Sequence, residues 1–197
     1  MGFLALKLDI SKAYDQVEWE FLKKVMEKMD FGEKWVKLIM ECISTVSYSI
    51  LVNGEPKGDI KPSRGIRQGD PLSPSLFLLC SKGLNRLLSA AAREDEIRGF
   101  SLWRNGPWIS HLFFTDDILL FCRAVMGDLV KIQDILTLYE QASDQQINRG
   151  KTTIFFSKAI TEERKEEISN FLGVEEVKEY EKHLGLLAVV GKIGEQA

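Results

Sequence analysis

No apolar run in this sequence reaches the ~18–20 residues that a helix needs to cross a bilayer, and the longest candidates carry charges. The opening "MGFLALKLDISKAYD" reaches Lys7 and Asp9 too early for a signal peptide. Leu6 stands where a myristoylation signal needs Ser or Thr. The expectation is an intracellular protein of the cytoplasm or nucleus, not secreted, with no membrane partner. Cysteine is scarce as well. Cys42, Cys80 and Cys122 are odd in number and scattered in apolar surroundings, and they read as core thiols in a reducing compartment. Nothing has the spacing of a His/Cys zinc site, and His111 reads as a surface strand residue. Excess positive charge is missing too: the net charge is −3, which at first sight argues against a nucleic-acid partner. Its distribution weakens that objection. Residues 159–197 hold 5 basic and 9 acidic residues, whereas residues 1–158 hold 21 and 20 and are near neutral.

What is present is ordinary globular composition, 45% hydrophobic and 28% charged over 197 residues, enough for one domain with a sizeable core. Apolar periodicity predicts a strand over 3–10, with Leu4, Leu6, Leu8 and Ile10 on one face and Ala5, Lys7 and Asp9 on the other. A helix follows from about 16 to a stop at Gly32, carrying Trp19, Leu22, Met26 and Met29. A second helix at 33–46 has Trp35, Leu38, Ile39, Cys42 and Ile43 on its inner side. A hairpin turns at Asn53-Gly54, and a long helix spans 73–94, with Pro71 suiting its start and Ser73 its N-cap. Strands flank the turn at Asn105-Gly106-Pro107, and another follows the acidic pair in "HLFFTDDILLF". A helix at 126–144, a strand at 152–157 and a charged helix at 161–172 complete the list.

With the 48–62 hairpin and the strand just before the acidic pair set aside, this order is that of a ferredoxin-like, split βαβ arrangement of α+β class. Its first strand and central hairpin are neighbours in one antiparallel sheet, so Asp9 is expected beside Asp116 and Asp117. Three carboxylates that close need a counter-ion. Hard oxygen donors suit Mg²⁺, and two such ions would serve phosphoryl transfer. The bland alternative is a strand-end cap at Asp9 and a solvated turn at 116–117.

"LALKLDISKAYDQVEW", "SRGIRQGDPLSPSLFLLCSKGL", "HLFFTDDILLF", "ASDQQINRGKT" and "EKHLGL" fall in the order and spacing of motifs A to E of reverse transcriptases. The chain resembles the LINE-type (non-LTR) retrotransposon class, in wording most like plant elements, over residues 3–191. The resemblance implies a polymerase palm and an RNA-directed DNA polymerase, a nucleotidyltransferase. Asp9, Asp116 and Asp117 match its catalytic carboxylates. With the backbone carbonyl of Ile10 they would hold Mg²⁺, with Mn²⁺ able to substitute, and Asp117 is the less direct ligand. Tyr14 matches the aromatic under the incoming sugar that selects deoxynucleotides, although a Tyr covering a helix start is the commoner case. Backbone N–H groups of Ser11 to Asp15 suit triphosphate oxygens. Gln68 and Gly69 match the nucleotide- or template-facing loop, and Arg64 or Arg67 would meet a phosphate. Lys151 matches the motif D lysine that serves the leaving pyrophosphate, and Leu184-Gly185 the primer-grip turn. The implied partners are an RNA template, a DNA primer and dNTPs. Thr115 replaces the family's usual Ala or Val, and Leu187 its usual Pro, without removing a catalytic group.

The expected organisation is a palm over 1–158 (motifs A to D) and an acidic helix with the primer-grip region over 159–197. Fingers and thumb are expected to be largely missing, so that this would be a truncated copy, and an inactive one if positioning fails. Two rival readings stay open: a retrotransposon remnant that at most binds nucleic acid, and another metal-dependent palm such as a cyclase. "RQGDPLSP" speaks against the second.

Overall fold

Alternation along Phe3–Leu8 makes a strand (β1) that is buried on one face: Leu4, Leu6 and Leu8 are enclosed, whereas Ala5 and Lys7 are half-exposed. The computed structural model describes residues 2–103, 106–114, 117–177, 182–183 and 186–187. After β1 come helices α1 (Trp19–Lys28) and α2 (Glu33–Ser44), a hairpin of β2 (Tyr48–Val52) and β3 (Glu55–Ile60), and the long α3 (Ser73–Arg93). Short strands β4 (Phe100–Ser101) and β5 (Trp108–Ile109) precede β6 (His111–Phe114) and β7 (Asp117–Arg123). Then follow α4 (Met126–Ser143), β8 (Thr153–Phe156), α5 (Glu162–Leu172), β9 (Glu175–Glu176), β10 (Lys182–His183) and β11 (Leu186–Leu187).

The central sheet has the order β6-β7-β1-β8-β9. β1 lies between β7 and β8 and is antiparallel to both, which is the split βαβ arrangement expected, with β9 added parallel to β8. Ile118, Leu120 and Cys122 of β7 and Ile154 of β8 join the buried residues of β1 in one core. Leu22 and Met26 of α1, Phe77, Leu84 and Leu88 of α3, and Leu129, Ile132 and Tyr139 of α4 belong to the same core. The opposite face of the sheet carries Lys7, Leu112, Phe114, Asp117 and Leu119, all half-exposed or exposed. Among the described residues no helix is long and apolar enough to cross a membrane.

Several local expectations are corrected. The segment 11–16 is a series of turns, and α1 starts only at Trp19. β1 ends at Leu8, and Ile10 forms an isolated bridge to Ile147 instead. Leu72, not Ser73, precedes α3; Ser73 is its first residue and is buried, Asp70 Oδ1 accepts from the Leu72 N–H at 2.8 Å, and Pro74 rather than Pro71 sits in the first turn. On α2 the inner side is Val36, Ile39 and Ile43, while Trp35, Leu38 and Cys42 face outward. Of the expected core thiols, only Cys80 and Cys122 are buried. Met29 lies beyond the end of α1 and is exposed. The hairpin turn at Asn53-Gly54 is as expected, both residues having positive φ.

Candidate active site

The end of β1 is tied to the segment after α4. The Asp9 carbonyl accepts from the Asn148 N–H at 2.8 Å, the Ser11 N–H donates to the Gln146 carbonyl at 2.9 Å, and the Asp9 N–H donates to Thr152 Oγ1 at 3.3 Å. Backbone groups of successive strand residues point to alternate sides. Because Asp9 and Ser11 bond toward residues 146–152, the Ile10 carbonyl points the other way, toward β7.

β1 and β7 pair from Phe3↔Arg123 to Leu8↔Ile118. Continuing that register by one residue sets Asp9 opposite Asp117 on the face away from the helices, where opposed Cβ atoms lie about 4.5–5.5 Å apart. Asp9 is half-buried, and Asp117 pairs with Lys7, its Oδ1 lying 3.6 Å from Nζ. Asp116 lies outside the described residues. No group of three or more His, Cys, Asp or Glu suited to a metal occurs among the described residues, which hold two of the three expected carboxylates.

The turns at 11–16 are fixed from two directions. From α4, the buried Gln145 donates through Nε2 to the Ala13 carbonyl at 3.0 Å and accepts from the Tyr139 hydroxyl. Burial pushes the Tyr139 phenol up, so it stays a donor. Glu140 accepts from the Ile147 N–H at 2.8 Å, with Arg149 at 3.7 Å from the same oxygen. From the other side, the loop before α3 lies on the turns: Gly65 N–H donates to Val17, Ile66 N–H to Tyr14, and Trp19 Nε1–H to Gly65. A Cβ on Gly65 would sit 2.7 Å from the Asp15 carbonyl oxygen, and its φ is +87°, so this contact requires glycine.

Tyr14 is half-buried and stacks on Phe77, with ring centroids 5.1 Å apart. Gln68 and Gly69 are exposed, and Gly69 has φ +86° with open space where a Cβ would stand. Arg67 is exposed, whereas Arg64 is held by Asp144 at 2.6 Å and Glu18 at 3.5 Å, so it clasps the loop to α4. Lys151 is exposed in the turn directly before Thr152. Leu184 and Gly185 lie outside the described residues; β10 and β11, which flank them, pair antiparallel. His111 lies in β6, where burial lowers its pKa. Sequence reading missed Gln145, Glu140 and Thr152 as the frame of the site. Gln145 and Thr152 were signalled only by their place within "ASDQQINRGKT", and Glu140, two residues before it, by nothing, because a polar residue looks alike in sequence whether it is buried or solvated.

A five-stranded sheet built on the split βαβ order, with helices on one face, is the α+β architecture of a polymerase palm. Residues 3–176 match the reverse transcriptase (RNA-dependent DNA polymerase) family, and the chain belongs to it. Its relatives place it among the LINE-type, non-LTR class. The type-1 retrotransposable element R2 Pol polyprotein of Popillia japonica is 33% identical over 58% of this chain and 18% of its own length. The transposon TX1 149 kDa protein of Xenopus laevis is 26% identical over 75% of this chain and 11% of its own. An uncharacterized mitochondrial protein of Arabidopsis thaliana is 48% identical over 34% of this chain and 55% of its own length. The chain thus spans about half of that protein and a far smaller share of the other two. Telomerase of Candida tropicalis, solved in complex with a fragment of telomeric RNA, shares the fold: TM-score 0.63, 14% identity, 80% of this chain and 26% of that one.

Proposed function

We propose that this chain is the palm of an RNA-directed DNA polymerase, extending a DNA primer with dNTPs on an RNA template. What supports this reading is the β1–β7 register, which runs to Leu8↔Ile118 and leaves Asp9 and Asp117 next in line on the two strands. Asp9, Asp116, Asp117 and the Ile10 carbonyl would hold Mg²⁺. The all-oxygen donor set and the Ile10 carbonyl's direction toward β7 fit that hard cation, and Mn²⁺ takes the same donors. A pair of such ions, when bound, stabilises the attacking and leaving oxygens of an in-line displacement.

The chain's own groups do the positioning. Backbone N–H groups at 12–15 receive triphosphate oxygens, in a turn that Gln145 holds in place, whereas the Ser11 N–H is taken by the Gln146 carbonyl. Tyr14, kept in one orientation by Phe77, lies under the sugar and clashes with a 2′-hydroxyl. Gln68 and the open backbone at Gly69 meet the nucleotide or template, and Lys151 offsets charge on the departing pyrophosphate. Leu184 and Gly185 approach the primer end. The palm comprises residues 1–158, and 159–197 form an acidic helix with the primer-grip region.

Primer extension on an RNA template with Mg²⁺ or Mn²⁺ tests this reading, comparing the chain with Asp9→Asn and Asp116→Asn and checking folding by circular dichroism. Extension should fall by at least about a hundredfold in either variant, the scale of losing one preorganised electrostatic group. A folded chain that extends no primer overturns the reading in favour of a non-catalytic nucleic-acid-binding remnant.

A further inference from the structure

Lys7 stands on the same face as Asp9, two residues before it, and projects between Leu119 of β7 and Thr153 of β8. Asp117 is its diagonal neighbour across the strand pair, a position that a long side chain can reach. Nζ lies 3.6 Å from Asp117 Oδ1, and both side chains are about one-third exposed, at 33% and 35%. An ion pair so exposed adds little stability, about 0–1 kcal/mol. Its consequence is therefore sought in the charge it places beside the carboxylates.

The geometry points to Lys7 as a positioning residue that holds the Asp117 carboxylate back along the sheet and competes with a divalent cation for it. This inference rests on the metal-site reading above. An ammonium here offsets one of the negative charges that the sequence gathers at the strand ends, so the site folds without metal and binds it less tightly than bare carboxylates would. A full cationic charge about 6–12 Å from a divalent ion changes its affinity by about three- to tenfold at the dielectric of water.

The test is a titration of the full 197-residue chain with Mn²⁺ alone, followed by water-proton relaxation, with folding checked by circular dichroism. Lys7→Met should tighten Mn²⁺ binding about three- to tenfold, and Lys7→Gln should move in the same direction. Lys7→Arg, which keeps the charge, should stay within about twofold of the parent. In an Asp117→Asn background, Lys7→Met should change affinity less than about twofold, because the ammonium no longer has the carboxylate that holds it there. Unchanged or weaker Mn²⁺ binding in both neutral variants overturns the role of Lys7. If Asp9→Asn still weakens binding, only the Lys7 inference has failed; if Asp9→Asn is also silent, the metal-site reading has failed with it.

Discussion

β7 carries an acid–base pair near each end, and the two pairs differ in construction. At its C-terminal end, Asp128 of α4 is 1% exposed and takes both Nε and Nη2 of Arg123, with Nη2 at 2.7 Å. It also accepts from the backbone N–H groups of Arg98 and Arg123. The hydrogen bond to Asp128 raises the Arg123 pKa. At the N-terminal end, Asp117 and Lys7 meet at 3.6 Å on a partly open face. A carboxylate that is buried with every lone pair used can only hold structure, because any new ligand must first break those bonds. One left partly in water beside a half-exposed ammonium is not sealed in this way. The same residue type is therefore a rivet at one end and a half-exposed ion-pair partner at the other.

Substitutions can break or sharpen this contrast. Asp128→Ala leaves a partly buried guanidinium and the Arg98 and Arg123 N–H groups without their carboxylate, and should cost about 3 kcal/mol in urea unfolding. A loss below about 1 kcal/mol would show that the pair behaves as a surface one. Gln145→Leu abandons the Ala13 carbonyl and the Tyr139 hydroxyl in the core, and should cost about 1–3 kcal/mol in the same measurement. Asp117→Asn should change stability by less than about 1 kcal/mol while weakening Mn²⁺ binding with an unchanged far-UV spectrum. Equal loss of stability at Asp117 and Asp128 would erase the distinction between the two ends.

The smallest effect concerns the thiols. Burial pushes Cys80 up to about 12 and also raises Cys122, which Asp128 raises further. Iodoacetamide at mildly alkaline pH should therefore modify Cys42 in the native chain and all three cysteines in urea, as read by mass spectrometry. From about pH 8.5 upward, unfolded thiols release protons that the folded ones keep, so stability should fall as pH rises toward 12.

The element order was legible because apolar periodicity is local: Leu4, Leu6 and Leu8 announce a half-buried strand, and Leu22 and Met26 a helix face. Motif order then pointed to Asp9 and the 116–117 pair before any contact was visible. The α2 face was misread because Trp35, Leu38 and Cys42 have the right spacing for burial yet are exposed among the described residues, and spacing alone does not show where a neighbour lies. Arg64 shows the same limit. Spacing left it open whether Arg64 or Arg67 meets a phosphate or merely belongs to a capped loop, and did not show that Asp144, eighty residues away, pairs with Arg64.

By itself, then, the sequence determined the strands, the helices and the family, since those depend on residue type and spacing along the chain. Only the tertiary structure decided that Gln145 holds the turn beside Asp9, that Asp128 is sealed, and that Lys7 stands beside Asp117. Each of these depends on which residues, distant in the chain, exclude water from one another or leave it in place. Burial of that kind belongs to the assembled sheet and helices rather than to any one segment.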